Sequence, residues 1–219
     1  TLEIKPDHII AELKLVELYF TEKRYDDADK RIEKILEKNP KSLEGRYLKG
    51  RSYLIKRKVD EAVELLREVS KERPDFGKGH YYLGVGYLAK GELQLAKSEM
   101  ADAVEKDPSL WKANLAMADI YLRRRSFDLA IEECNKVLKI APRYPQAHLF
   151  LGNAFLYKGR LTEAGGEFER LIELAPRNPA GYYQMGLLHQ LEKNYPEALE
   201  KYEEVLSLNP SDIKALANI

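Results

Sequence analysis

In the stretch HLFLGNAFLYKG, residues 148–159, apolar side chains recur at spacings of three and four, the spacing of one face of an α-helix. A polar corner follows at Lys158, Gly159 and Arg160, and a second apolar-periodic run opens beyond it. The same sequence of helix, charged or glycine-bearing corner, and helix runs along the whole chain. Strict alternation of apolar and polar residues, the mark of a strand, is found in no long segment. Acidic and hydroxyl residues such as Asp60, Asp128 and Thr162 stand where second helices begin and are expected to cap them. Pro145 and Pro179 stand where first helices begin, a position that tolerates proline.

The helix pairs repeat with a fixed period. Pro6, Pro40, Pro74, Pro108, Pro142, Pro176 and Pro210 follow one another at intervals of 34 residues. Counting each unit so that this proline is its position 32 gives six complete units, 9–42, 43–76, 77–110, 111–144, 145–178 and 179–212. Position 20 is alanine in every unit: Ala28, Ala62, Ala96, Ala130, Ala164 and Ala198. Position 8 is small in all but the first, as Gly50, Gly84, Ala118, Gly152 and Gly186, with Val16 the exception. Position 11 is Tyr19, Tyr53, Tyr87, Tyr121, Phe155 and His189, and position 24 is Ile32, Leu66, Met100, Cys134, Phe168 and Tyr202. Two helices cross closely only where side chains are small, and large side chains fill the space beside the crossing.

These columns resemble the tetratricopeptide repeat family, whose 34-residue pattern sets Leu-Gly, Tyr, Ala, Phe and Pro at such places. HYYLGVGYLAKGELQLAKSEMADAVEKDP and HLFLGNAFLYKGRLTEAGGEFERLIELAP carry the resemblance most fully, and it extends in register over essentially all 219 residues. It implies an all-α fold, a right-handed α-solenoid, or superhelix, of antiparallel helix pairs. Residues 1–8 align with the end of the second helix of a preceding repeat, and 213–219 with the start of the first helix of a following one. The chain therefore reads as one domain cut from a longer array.

Composition narrows the chemistry. Thirty-six basic and 36 acidic residues give a net charge of zero, so there is no global basic footprint for nucleic acid. Apolar runs are too short for a membrane-spanning helix, and no membrane insertion is expected. One cysteine, Cys134, excludes an internal disulfide, is compatible with a reducing compartment, and stands in a packing column. His80 and His148 share position 4 two units apart, too far for a common ligand; with His8 and His189 they read as packing or surface residues, and no metal is expected. The glycines of FGKGHYYLGVG lack both the G-x-G-x-x-G spacing and a preceding strand, so no phosphate loop and no cofactor are expected. No catalytic pair stands out, and the chain is not expected to be an enzyme. Gly165 and Gly166 stand inside a second helix as tolerated weak points, and Lys49 takes a position that is apolar elsewhere, its stem packed and its ammonium in water.

The family resemblance implies a binding groove lined by first helices, reached from positions 2, 5, 6, 9, 12 and 13. In this sequence those positions supply Tyr47, Arg51, Lys78, Tyr81, Tyr82, Lys112, Asp119, Arg123, Gln146, Phe150, Asn153, Tyr157 and Tyr183 as the partner-binding candidates. Tyr47, Tyr81 and Tyr183 are scaffold or contact with equal warrant. First helices of the second to fourth units carry an excess of Lys and Arg, which favours a protein or peptide partner with acidic and apolar side chains. The carboxylate clamp of the family's chaperone-binding members is not supplied, because Asn153 stands with Leu149 and Lys78 with Tyr82; nor is the asparagine ladder of its protein glycosyltransferase. The resemblance implies an interaction scaffold, in bacterial or archaeal style and of the kind used in assembly or secretion. The alternatives are the recognition arm of a larger enzyme such as a protein glycosyltransferase, and a self-assembling oligomer that associates through exposed ends.

Overall fold

The computed structural model describes residues 9–219; the expected end of a preceding helix at 1–8, and His8 with it, lies outside the described residues. These residues form α1 (Ile9–Thr21), α2 (Tyr25–Lys38), α3 (Leu43–Ile55), α4 (Val59–Glu72), α5 (Gly77–Lys90), α6 (Leu93–Lys106), α7 (Trp111–Arg123), α8 (Phe127–Ile140), α9 (Pro145–Tyr157), α10 (Leu161–Leu174), α11 (Pro179–Leu191), α12 (Tyr195–Leu208) and α13 (Ile213–Leu216). Among the described residues there is no strand and no helix long and apolar enough to cross a membrane. The fold is all-α. Its contacts divide it into two units, one ending at Leu110 and one running Trp111–Ile219.

In the first unit α1 packs on α2, α3 on α4 and α5 on α6, while α2 meets α3 and α4 meets α5. In the second, α7 pairs with α8, α9 with α10 and α11 with α12; α8 meets α9, α10 meets α11, and α13 rests on α12. Each pair closes where the sequence is small. A Cβ on Gly50 would fall 2.6 Å from Leu66, one on Gly152 would fall 2.4 Å from Phe168, and one on Gly186 would fall 2.6 Å from Tyr202. The position-8 glycines thus face the bulky position-24 side chains, and those, with the position-20 alanines, form the buried seam. Burial of this apolar surface supplies the main stabilising term, about 25 cal/mol for each Å² removed from water.

Two kinds of turn set the period. Between the helices of each pair, the N–H of position 16 donates to the carbonyl of position 11, as in Arg24 to Tyr19, Lys58 to Tyr53 and Asn194 to His189, at 2.8 to 2.9 Å. The residue between, position 15, is left-handed every time: Lys23, Arg57, Gly91, Arg125, Gly159 and Lys193, with φ from 59° to 76°. Between pairs, the N–H of position 34 donates to the carbonyl of position 31, as in Ser42 to Asn39, Phe76 to Arg73 and Asn178 to Ala175, at 2.9 to 3.1 Å. The periodic proline is the second residue of that turn, where its fixed φ is favoured. It does more than stop a helix: it shapes the link to the next one.

The caps expected at Asp60, Asp128 and Thr162 are corrected by the structure. The N-cap positions of the second helices lie two residues earlier, at Lys58, Ser126 and Arg160, none of which makes a side-chain cap. The corner hydrogen bond already fixes that preceding residue. The acidic side chains fall in the first turn instead, where they complement the helix dipole. Asp60 and Asp128 also reach the next pair, Asp60 to Lys90 at 2.8 Å and Asp128 to Lys158. Side-chain caps do occur at Ser42, Asn178 and Asp212, ahead of α3, α11 and α13.

Candidate functional site

In the first unit, four of the sequence-predicted residues are brought into one aromatic cluster. Tyr47 on α3 makes edge contacts with Phe76, at 5.1 Å between centroids, and with Tyr82 on α5, at 5.6 Å; Tyr81 and Tyr82 meet at 4.9 Å. The Arg51 guanidinium lies over the Phe20 ring at 4.3 Å and over Tyr82 at 5.1 Å, and pairs with Glu17. Tyr47 is only 4% exposed, so it supports its neighbours from below. Tyr81 and Tyr82 are half-buried and Lys78 is exposed, and these three reach the surface of α5. Burial pushes the Tyr47 and Tyr82 phenols up, so both stay neutral. For Arg51, burial acts downward but is outweighed by its acidic surroundings, the paired Glu17 carboxylate among them, and its pKa is raised. The cluster is a rigid, mostly apolar wall with a held cation.

In the second unit the candidates are more dispersed. Asp119 and Arg123 pair with each other along α7 at 2.8 Å, and the Lys112 ammonium lies 5.6 Å over Trp111. On α9, Gln146 is half-buried and Phe150 packs against the core built from Leu151, Phe155 and Phe168. Asn153 has a buried Oδ1 without a hydrogen-bond partner. Tyr157 is 65% exposed and stacks on Phe127 at 5.3 Å. Tyr183 is half-buried and packs toward Tyr202, 5.8 Å away, at the edge of the cluster around α12.

The cations that made the first helices look positive are mostly spoken for. Arg46 pairs with Glu72, Lys49 with Glu33 at 3.2 Å, Lys56 with Asp29 and Lys90 with Asp60, beside the Arg51–Glu17 pair. Lys49 therefore ends on a carboxylate, with the Tyr53 ring 5.4 Å away, and does not simply reach for water. Lys78 and Arg124 have no ion-pair partner among the described residues and stay exposed.

Sequence reasoning missed three contributors to the first cluster, Glu17, Phe20 and Phe76. For Glu17 the signal was present: it occupies position 9 of its unit, as Arg51 does in the next. It also missed what the histidines do. His80 Nδ1 lies 2.8 Å from Glu99 and Nε2 lies 3.0 Å from the Pro74 carbonyl; His148 repeats this with Glu167 at 2.7 Å and Pro142 at 3.0 Å. The Glu99 carboxylate raises the His80 pKa against the opposing effect of burial. His189 is half-buried, its Nδ1 3.5 Å from Glu192 and without a hydrogen bond.

Family models described as tetratricopeptide repeat match residues 13–75, 49–110, 81–147, 115–179 and 179–212. Among solved structures, one titled for the functional characterisation of Pseudomonas aeruginosa pilF is 14% identical, with a TM-score of 0.84 over 95% of either chain. YrrB, described as a TPR protein with an unusual peptide-binding site, is 17% identical with a TM-score of 0.73, over 85% of this chain and 96% of that one. MamA from Desulfovibrio magneticus RS-1, residues 41 to the end, is 18% identical with a TM-score of 0.73, over 79% and 98%. At such identities these likenesses show the fold alone. No curated protein matches the chain.

Proposed function

Because this chain belongs to the tetratricopeptide repeat family, we propose that it is a non-catalytic scaffold that binds a peptide or helix of a partner protein on its first helices. The observation that carries this reading is the aromatic cluster of the first unit. Tyr81, Tyr82 and Arg51 are already ordered by Tyr47, Phe20 and Phe76, so they lose little conformational freedom on meeting a ligand. Tyrosine and arginine are also the side chains that most often anchor an interface. Apolar or aromatic side chains of the partner would lie on the Tyr81 and Tyr82 rings, and an acidic one would meet Lys78. The peptide-binding site named for YrrB is support by analogy for this use of the fold.

The test is capture from native lysate, read by mass spectrometry, with the protein compared against a Lys78→Glu, Tyr81→Ala double variant and against Tyr157→Ala in the second unit. The expected result is a protein retained by the parent and by Tyr157→Ala but lost by the double variant, with helical circular dichroism unchanged in all three. Retention of the same proteins by the double variant would move the site away from α5.

A further inference from the structure

We propose that His80, Glu99 and Asp102 form a binding site for a divalent transition-metal ion of the zinc type. The ligands come from the two helices of one pair: His80 from α5, and Glu99 and Asp102 one turn apart on α6. Their donor atoms all lie within 4.8 Å of one another. Small side-chain rotations bring such a set to the roughly 2.0 to 2.2 Å that zinc takes from imidazole and carboxylate. The two carboxylates are half-exposed, which leaves a path from solvent.

The hydrogen bonds of His80 favour a cation at Nδ1. Nε2 faces the Pro74 carbonyl at 3.0 Å, which can only accept, so Nε2 carries a proton. That bond sets the ring's orientation and directs Nδ1 at Glu99, the arrangement by which backbone carbonyls orient metal-binding histidines. A bare Nδ1 lone pair against a carboxylate oxygen would be repulsive, so a positive charge belongs between them. In the metal-free form it is a proton; when the ion binds, Nδ1 gives that proton to solvent and its lone pair to the metal.

The sister repeats supply a contrast within the same chain. His148 and Glu167 reproduce the His80 and Glu99 geometry, but Arg170 stands where Asp102 does, its guanidinium engaged with Glu173 at 2.6 Å. In the repeat between them Asn114 replaces the histidine, and Lys136 stands at the third place, 2.9 Å from Glu133. A cation therefore closes this column in both, and a second carboxylate, Asp102, opens it to metal at His80. Imidazole among the ligands favours zinc, cobalt or nickel over magnesium or calcium.

The experiment uses the full chain stripped of metal, titrated with Co²⁺ by visible absorption and with Zn²⁺ by calorimetry. One ion per chain is expected, with an affinity that falls at least about ten-fold in Asp102→Asn and is unchanged in His148→Gln. Arg170→Asp is expected to raise the stoichiometry to two. Absence of binding, binding that Asp102→Asn leaves intact, or a stoichiometry that stays at one in Arg170→Asp would each overturn the assignment.

Discussion

Gly152 and Gly166 lie on the two helices of one pair, and one added methyl group has opposite consequences at them. At Gly152 the new Cβ would fall 2.4 Å from the Phe168 ring, whereas at Gly166 it would meet nothing within 4 Å. Gly152→Ala is expected to destabilise the protein by about 1 to 3 kcal/mol, because neither helix can withdraw from a packed seam. Gly166→Ala is expected to stabilise it by about 1 kcal/mol, the ordinary gain of alanine over glycine in a helix. Urea denaturation of the two variants gives both signs. Cys134 offers a second residue-scale check. Burial pushes its thiol up to about 12, so at pH 8 only on the order of one molecule in ten thousand carries the reactive thiolate. Labelling by a disulfide reagent at that pH should proceed no faster than global unfolding; prompt labelling in the native state would show that α8 opens locally. The sequence made both residues readable as packing, since Gly152 and Cys134 stand in columns that repeat. It did not reveal the bonds of His80, because Pro74 and Glu99 are brought to it from a turn and from the facing helix.

At the scale of the element, the left-handed corner is the informative feature. Position 15 is glycine only at Gly91 and Gly159; Lys23, Arg57, Arg125 and Lys193 hold the same conformation with a Cβ. Left-handed backbone costs such residues roughly 1 to 2 kcal/mol, partly offset by the smaller entropy they lose on folding. Gly159→Ala is therefore expected to lower stability by about 1 kcal/mol, and Arg125→Gly to raise it by a fraction of that, in the same denaturation assay. The existence and pairing of the helices was legible in the hydrophobic spacing. Their first residues were not, because Asp60, Asp128 and Thr162 look like caps to a reader who cannot see the corner hydrogen bond that precedes them.

Over the whole molecule, charge has a different use from the one the sequence suggested. Lys49, Arg51, Lys56, Lys90 and Lys158 each pair with a carboxylate of the preceding repeat. Most of the excess of cations on first helices is answered from one repeat to the one before it, and the sequence could not show this because the partners lie 16 to 34 residues away. The candidate surface is left more aromatic than electrostatic. Capture of the proposed partner is accordingly expected to persist at about 0.5 M salt, where exposed ion pairs are screened within a few ångströms. Elution at that salt would instead make Lys78 and its fellow cations the main attraction. The aromatic candidates were partly legible, since tyrosines at repeating positions could be named; which of them are props, as Tyr47 is, depended on burial.

The proline turn also fixes a quantum of length. Tyr144 and Asn178 hold nearly the same backbone, φ −88° and ψ 107° against φ −90° and ψ 111°, and each is followed by a proline that opens a helix. A chain spliced from Tyr144 directly to Pro179 would meet at that joint the geometry it already has. Loss of those 34 residues should therefore leave a shorter protein with cooperative thermal unfolding, whereas a deletion five residues shorter should not. Such a backbone can lengthen or shorten by tandem duplication and loss, one whole period at a time, without passing through a misfolded ancestor.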